Sequence, residues 1–179
     1  MKEVSFGGMK FVPSIGKEEI AAAVKRVAEK LNVDYAGREP VFLVVLNGAF
    51  MFASDLAKQL DLRCVFSFIK LASYEGTAST QNVRKLIGLN EDLKGKDVVV
   101  VEDIVDTGLT MHGLLAQLKE MGAASVEICT IVQKPEALQY PDAQPKYVGL
   151  DIPNRFIIGY GLDLDGYARN LPEIYELKK

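Results

Sequence analysis

Glu102, Asp103 and Asp106 fall within one short stretch, directly after four consecutive valines (98–101) and directly around the small, hydroxylic run Thr107-Gly108-Leu109-Thr110. Four valines in a row predict a strand buried on both faces, and a leucine-rich segment after the turn predicts a helix. A turn of this kind between strand and helix collects backbone N–H groups at a helix N-terminus, which favours an anion. Acids beside an anion cradle are a contradiction for a plain phosphate site. They make sense if the ligand also carries hydroxyls, or a divalent cation with a taste for hard oxygen.

Two further polar groups end apolar runs. Asn47-Gly48 closes PVFLVVL (40–46), and Gln133-Lys134 closes a run that starts at residue 125. Helical spacing of Ile20, Val24, Val27 and Leu31 predicts a helix over 17–32; Phe52, Leu56 and Leu60 predict a second over 49–60. Leu114, Leu115, Leu118 and Met121 predict a third over 109–121, stopped by Gly122. Strands are expected at 40–46, 62–69, 98–101, 125–132 and 156–160, with a short β segment at the N-terminus and a proline-punctuated loop around Pro135, Pro141 and Pro145. Strands alternating with helices predict an α/β fold with a mostly parallel sheet covered on both sides. Ligands bind such sheets outside the carboxyl ends of the strands, so the three polar clusters are expected to meet there.

A chain of 179 residues is expected to form a single domain, spanning 1–179, with a substantial core. Its 21 basic and 24 acidic residues give a net charge of −3 and no broad basic face, which argues against a nucleic-acid partner. No apolar run is long enough to span a membrane and the N-terminus does not read as a signal peptide, so a cytoplasmic location is expected. Cys64 and Cys129 each sit in an apolar run and are expected to be reduced packing residues. No Cys or His spacing suggests a metal site, and His112 is expected on the surface of the third helix with no catalytic role.

The segment VVVVEDIVDTGLT (98–110) resembles the 5-phosphoribosyl-1-pyrophosphate (PRPP) signature of the type I phosphoribosyltransferases. Together with VVLNGAF (44–50), LASYEGT (71–77), TIVQKP (130–135) and FIIGYGLDLDGYARNLPEIY (156–175), it is similar to the hypoxanthine(-guanine) branch of that family, from about residue 7 to 175. The resemblance implies a twisted, mostly parallel sheet flanked by helices, with a small hood formed by the N- and C-terminal segments. It implies purine salvage: transfer of the phosphoribosyl group from PRPP to N9 of a 6-oxopurine, hypoxanthine and also guanine, releasing pyrophosphate. It further implies Mg2+ as cofactor and assembly as a homodimer or homotetramer.

The same resemblance assigns roles. Glu102 and Asp103 hold the ribose hydroxyls and, with Asp163, serve Mg2+. Asp106, Thr107, Gly108, Leu109 and Thr110 cradle the 5′-phosphate, and Asp106 is also the candidate general base near purine N7. Leu46, Asn47 and Gly48 present backbone N–H groups to pyrophosphate, with a cis peptide expected before Asn47. Lys70, Arg169 and a closing loop carrying Ser73 and Tyr74 complete the pyrophosphate side. Lys134 donates to the purine O6, Phe156 stacks on the base, and Ile157 and Asp163 flank it. Two departures stand out: many family members carry lysine where Asn47 and Leu109 stand here, which implies altered PRPP affinity. Gln133 stands where bacterial relatives often have an acid. Transferases for adenine, xanthine or a pyrimidine remain rivals, as does a regulator that keeps the fold as a nucleotide sensor.

Overall fold

The computed structural model describes residues 2–72 and 85–178. In chain order its elements are β1 (Val4–Phe6), β2 (Met9–Ile15), α1 (Lys17–Asp34), β3 (Val41–Leu46), α2 (Phe50–Ala57), β4 (Val65–Ala72), β5 (Lys85–Ile87), β6 (Asp97–Val105), α3 (Leu109–Glu120), β7 (Ser125–Gln133), β8 (Tyr147–Asp151), β9 (Ile157–Ile158) and β10 (Ile174–Leu177). One sheet runs β5-β4-β3-β6-β7-β8, with β4, β3, β6, β7 and β8 parallel and β5 antiparallel at the edge. A second, antiparallel sheet runs β1-β2-β10-β9 and forms the hood from the two ends of the chain.

The continuous apolar strands behave as buried parallel strands should. Phe42, Val44, Val99 and Val101 face the core under α1 and α2, while Val41, Leu43, Val45, Val98 and Val100 face the one under α3. Helix α1 buries Ile20, Ala23, Val24, Val27, Ala28 and Leu31, and α3 buries Met111, Leu114, Leu115 and Leu118. Each fully buried leucine contributes roughly 1.5–3 kcal/mol, so these two stripes fix both helices on the sheet. The hood has its own small core of Phe11, Ile158, Ala168 and Tyr175.

The structure differs from the sequence pattern in several places, among them β4, which spans Val65–Ala72 where the pattern predicts 62–69, and β5, which the pattern does not predict. Strand β6 continues through Glu102 and Asp103 to Val105, because its pairing with β7 carries on where the apolar pattern stops: Glu102 lies opposite Thr130 and Val105 opposite Gln133. Helix α2 ends at Ala57, short of Leu60. The strand expected over 156–160 is the two-residue β9 and belongs to the hood, not the parallel sheet. Strands β8 and β10 lack a clear pattern in the sequence. In β8, Gly149 interrupts the run; a Cβ there would meet the Ile131 carbonyl oxygen at 2.7 Å, so glycine is what permits the close strand approach. Among the described residues no helix is long and apolar enough to cross a membrane, and Cys64 and Cys129 are free thiols.

Candidate active site

The carboxyl end of β6 supplies the acids. Glu102 is buried, Asp103 partly so. The Asp103 N–H donates to Glu102 Oε1 at 3.0 Å, and the Ile104 N–H donates to Asp103 Oδ1 at 2.8 Å. Burial pushes the Asp103 carboxyl above its ordinary range. A side-chain hydrogen bond with Glu102, the Ile104 N–H and the positive charge of Arg169 all oppose that rise without cancelling it.

Past β6 the chain turns at Gly108, whose φ of +83° is the left-handed conformation glycine tolerates best, and enters α3. A Cβ on Gly108 would also lie 2.9 Å from Ala143 Cβ and Leu138 Cδ1, on the single-turn helices over Pro135–Ala137 and Pro141–Ala143 and their connection. The stretch from Glu102 to Met111 encloses a cavity of about 260 Å³. Thr107 Oγ1 accepts from the Leu109 N–H at 3.4 Å, and α3 starts with the His112 N–H bonded to the Gly108 carbonyl at 2.8 Å. Asp106 to Thr110 therefore form the strand-to-helix turn that opens α3, and a helix N-terminus favours an anion.

Strand register brings the second polar cluster to the same place. Val105 pairs with Gln133, so Asp106 and Lys134 follow side by side, and the Lys134 N–H bonds the Val105 carbonyl at 3.0 Å. Lys134 Nζ donates to Asp106 Oδ2 at 2.9 Å; the lysine is buried and the aspartate half-exposed at the cavity's edge. Gln133 is turned away from this pair into a reciprocal amide bond with Gln144, at 3.1 and 3.2 Å. His112 meets Asp142 at 2.8 Å on the surface, as a helix-face residue should.

On the other side, β3 ends at Leu46 and a cis peptide joins it to Asn47, as the resemblance implied. Gly48 sits directly against the Asp103 carboxylate: any Cβ there would collide with it. Gly161, from the hood, packs on the Gly48 carbonyl so closely that a Cβ would overlap the oxygen. Arg169 Nη1 donates to the Gly161 carbonyl at 2.7 Å, and Arg169 Nη2 pairs with Asp163 Oδ1 at 2.7 Å. The second Asp163 oxygen accepts from the Gly166 N–H at 2.7 Å. Lys70, exposed, lies beside Leu46 in the β3–β4 register. Phe156 is 45% exposed, with its ring 6.1 Å from Phe11, while Ile157 is buried in β9. Ser73 and Tyr74 lie outside the described residues.

Two participants, Tyr160 and Gly161, carry no role that the sequence pattern assigns. Gly-Tyr-Gly (159–161) is nevertheless a signal: a large residue between two glycines marks a backbone that must approach another closely. Among the described residues, no three His, Cys, Asp or Glu side chains converge into a ready-made metal cage.

A family model for the phosphoribosyl transferase domain matches residues 14–165. The chain is 39% identical over 166 residues to a hypoxanthine-guanine phosphoribosyltransferase of Streptococcus pneumoniae, with 92% of each chain covered. It is 39% identical over 163 residues to a hypoxanthine-guanine-xanthine phosphoribosyltransferase of Tritrichomonas foetus, covering 91% of this chain and 89% of that one. Among solved structures it is similar to a hypoxanthine phosphoribosyltransferase from Staphylococcus aureus, with a TM-score of 0.85, 35% identity, and 93% and 91% of the two chains covered.

Proposed function

We propose that this chain, which belongs to the phosphoribosyl transferase family, is a purine salvage enzyme that moves the 5-phosphoribosyl group from PRPP to N9 of hypoxanthine or guanine. The bond between the ribose C1′ and the pyrophosphate oxygen breaks, a bond from C1′ to N9 forms, and the base gives up a proton. The observation that carries this reading is the Lys134–Asp106 pair at 2.9 Å, in which Asp106 also lines the cavity of about 260 Å³. The pair supports a reading in which a cation and a carboxylate stand side by side next to a base whose sugar phosphate the turn would hold.

In this reading Lys134 donates to the purine O6. Adenine offers an amino donor there, so its binding would leave the lysine facing a like partner, and a buried mismatch of that kind is strongly selective. Asp106 accepts the proton from N7. Phe156 covers a face of the base, and Ile157 and Asp163 border it. Glu102 and Asp103 accept hydrogen bonds from the ribose hydroxyls. Thr107 to Thr110 hold the 5′-phosphate with backbone N–H groups and hydroxyls. Leu46, Asn47 and Gly48, helped by Arg169 and Lys70, hold the departing pyrophosphate; Arg169 suits a bidentate grip on its oxygens. Ser73 and Tyr74 belong to the same assignment as parts of a closing loop.

Glu102, Asp103 and Asp163 offer hard oxygen atoms but no closed cage, which fits Mg2+ that keeps most of its coordination to water and to PRPP. When bound, that ion supplies charge neutralisation to the leaving pyrophosphate. The free thiols Cys64 and Cys129 fit a reducing compartment, the cytoplasm. The exposed apolar side chains Val65, Phe68 and Ile87 on β4 and β5 support self-association into a dimer or tetramer.

The test is a spectrophotometric assay with Mg2+, PRPP and hypoxanthine, guanine, xanthine or adenine supplied singly. Turnover of hypoxanthine or guanine with adenine refused is the expected result. Absence of turnover with any 6-oxopurine sinks the assignment, and turnover of adenine alone replaces it with a sister activity.

A further inference from the structure

The segment Gly159-Tyr160-Gly161 has three positive φ angles in succession, +96°, +50° and +96°. Two are glycines, for which this costs little; Tyr160 is not, and an L side chain disfavours that region. Something must hold it there. Its ring is buried, its N–H bonds the Leu171 carbonyl at 2.8 Å, and its hydroxyl donates to Asp55 Oδ2 at 2.8 Å. Asp55 lies on α2, the helix that begins at Phe50 directly after Leu46-Asn47-Gly48. The other Asp55 oxygen accepts from Lys58 Nζ at 2.8 Å, which keeps the carboxylate in place for Tyr160. The next residue, Gly161, is the one that packs on the Gly48 carbonyl and accepts from Arg169.

We propose that Tyr160 is a positioning residue: through Asp55 it locks the hood to α2, and so sets the spacing between Arg169 and the Leu46-Asn47-Gly48 loop. This rests on the reading of those groups as the pyrophosphate side. The Tyr160 hydroxyl is committed to Asp55, and it acts on pyrophosphate only through Gly161 and Arg169. Its loss therefore weakens the grip on pyrophosphate while most of the base subsite is kept: Lys134 and Asp106 are held by the β6–β7 pairing, and Phe156 and Ile157 by their bonds to β10.

The experiment is Y160F, with Mg2+–pyrophosphate binding followed by calorimetry and the KM for PRPP and for hypoxanthine measured separately. The expected result is a rise of about fivefold or more in both the pyrophosphate Kd and the PRPP KM, the scale of one lost hydrogen bond to a charged group. The KM for hypoxanthine stays within about twofold, as does kcat. D55A should reproduce Y160F, the double variant should add little beyond either, and D55N, whose amide oxygen still accepts from the hydroxyl, should sit near wild type. An unchanged pyrophosphate Kd in Y160F, or equal losses for PRPP and hypoxanthine, overturns the proposal. If wild type makes no nucleotide while Y160F still weakens pyrophosphate, the transferase reading falls and the positioning role stands.

Discussion

The wall of the phosphate cavity from Glu102 to Met111 is one uninterrupted stretch of chain, held by β6–β7 pairing and the start of α3. A second wall, outside the residues that line that cavity and joined to it at Asp103, is assembled from parts: Gly48 after β3, and Gly161, Asp163 and Arg169 from near the C-terminus. The first wall gets its geometry from the pairing of β6 with β7 and from the Gly108 turn into α3, and its residues are contiguous in sequence. The second gets its geometry from backbones that touch only because side chains are missing at Gly48 and Gly161. A continuous wall concentrates the chemistry, and an assembled wall is exposed to distant changes. Substitutions on the two sides should therefore fail in different ways.

The largest effect is expected on the continuous wall. Asp106→Asn keeps the shape and removes the proton acceptor, so kcat should fall by about 10²–10⁴, the usual contribution of a positioned base, with PRPP binding little changed. Equal losses in kcat and in PRPP affinity would make Asp106 a scaffold residue and erase the contrast between the walls. Gly48→Ala tests the assembled wall by steric means alone. Its methyl must displace the Asp103 carboxylate, and a shift of about 1 Å is enough to cost roughly 10²-fold in activity. Here the loss should appear in the KM for PRPP as well as in kcat. A variant of wild-type activity would show that the contact yields, and that the second wall is as tolerant as an ordinary loop.

Lys134→Gln is a milder and more informative test of the continuous wall. It breaks the pair with Asp106 and should weaken hypoxanthine binding by about tenfold while relaxing the rejection of adenine. Steady-state competition between the two bases reads this directly. If selectivity is unchanged, the lysine serves Asp106 and not the base.

The difference between the walls also explains what residue order can and cannot convey. The valine run, the acids and the Asp-Thr-Gly turn are neighbours in sequence, so their chemistry is legible in residue order alone. Strand pairing then delivers Lys134 beside Asp106, as the expected clustering at the strand ends requires. The extension of β6 to Val105 is not legible in the same way, because its last residues are set by hydrogen bonds to β7 and carry no apolar pattern. The pattern shows a β segment at the N-terminus and an apolar run at 156–160, but that they join in one hood is legible only through resemblance. Its strands β9 and β10 span two and four residues, too short for periodicity to register. The Tyr160–Asp55 bond joins residues 105 apart in sequence, and no local rule links them.

The smallest effect concerns Asp103, where the two walls meet. Burial favours its neutral form, so its carboxyl titrates above the ordinary value of 3.8. An acid raised in the folded state stabilises the fold below its unfolded pKa, and that advantage disappears as pH rises through the raised value. Folding therefore works against ionising this carboxyl, beside Glu102, and the site accepts that cost because a carboxylate is what its ligand needs. Asp103→Asn removes the charge while its amide oxygen still accepts from the Ile104 N–H. Near pH 3.5 the melting temperatures of wild type and variant should coincide. Between that pH and neutrality the variant should pull ahead by a few degrees, about 2–4 °C per kcal/mol for a chain of this size, while its PRPP affinity falls. A variant less stable than wild type at pH 7 would mean that Arg169 and the surrounding N–H groups already compensate the charge in full. Asp103 would then be a structural strut between the walls, and the cost of its charge would not be one the site tolerates for binding.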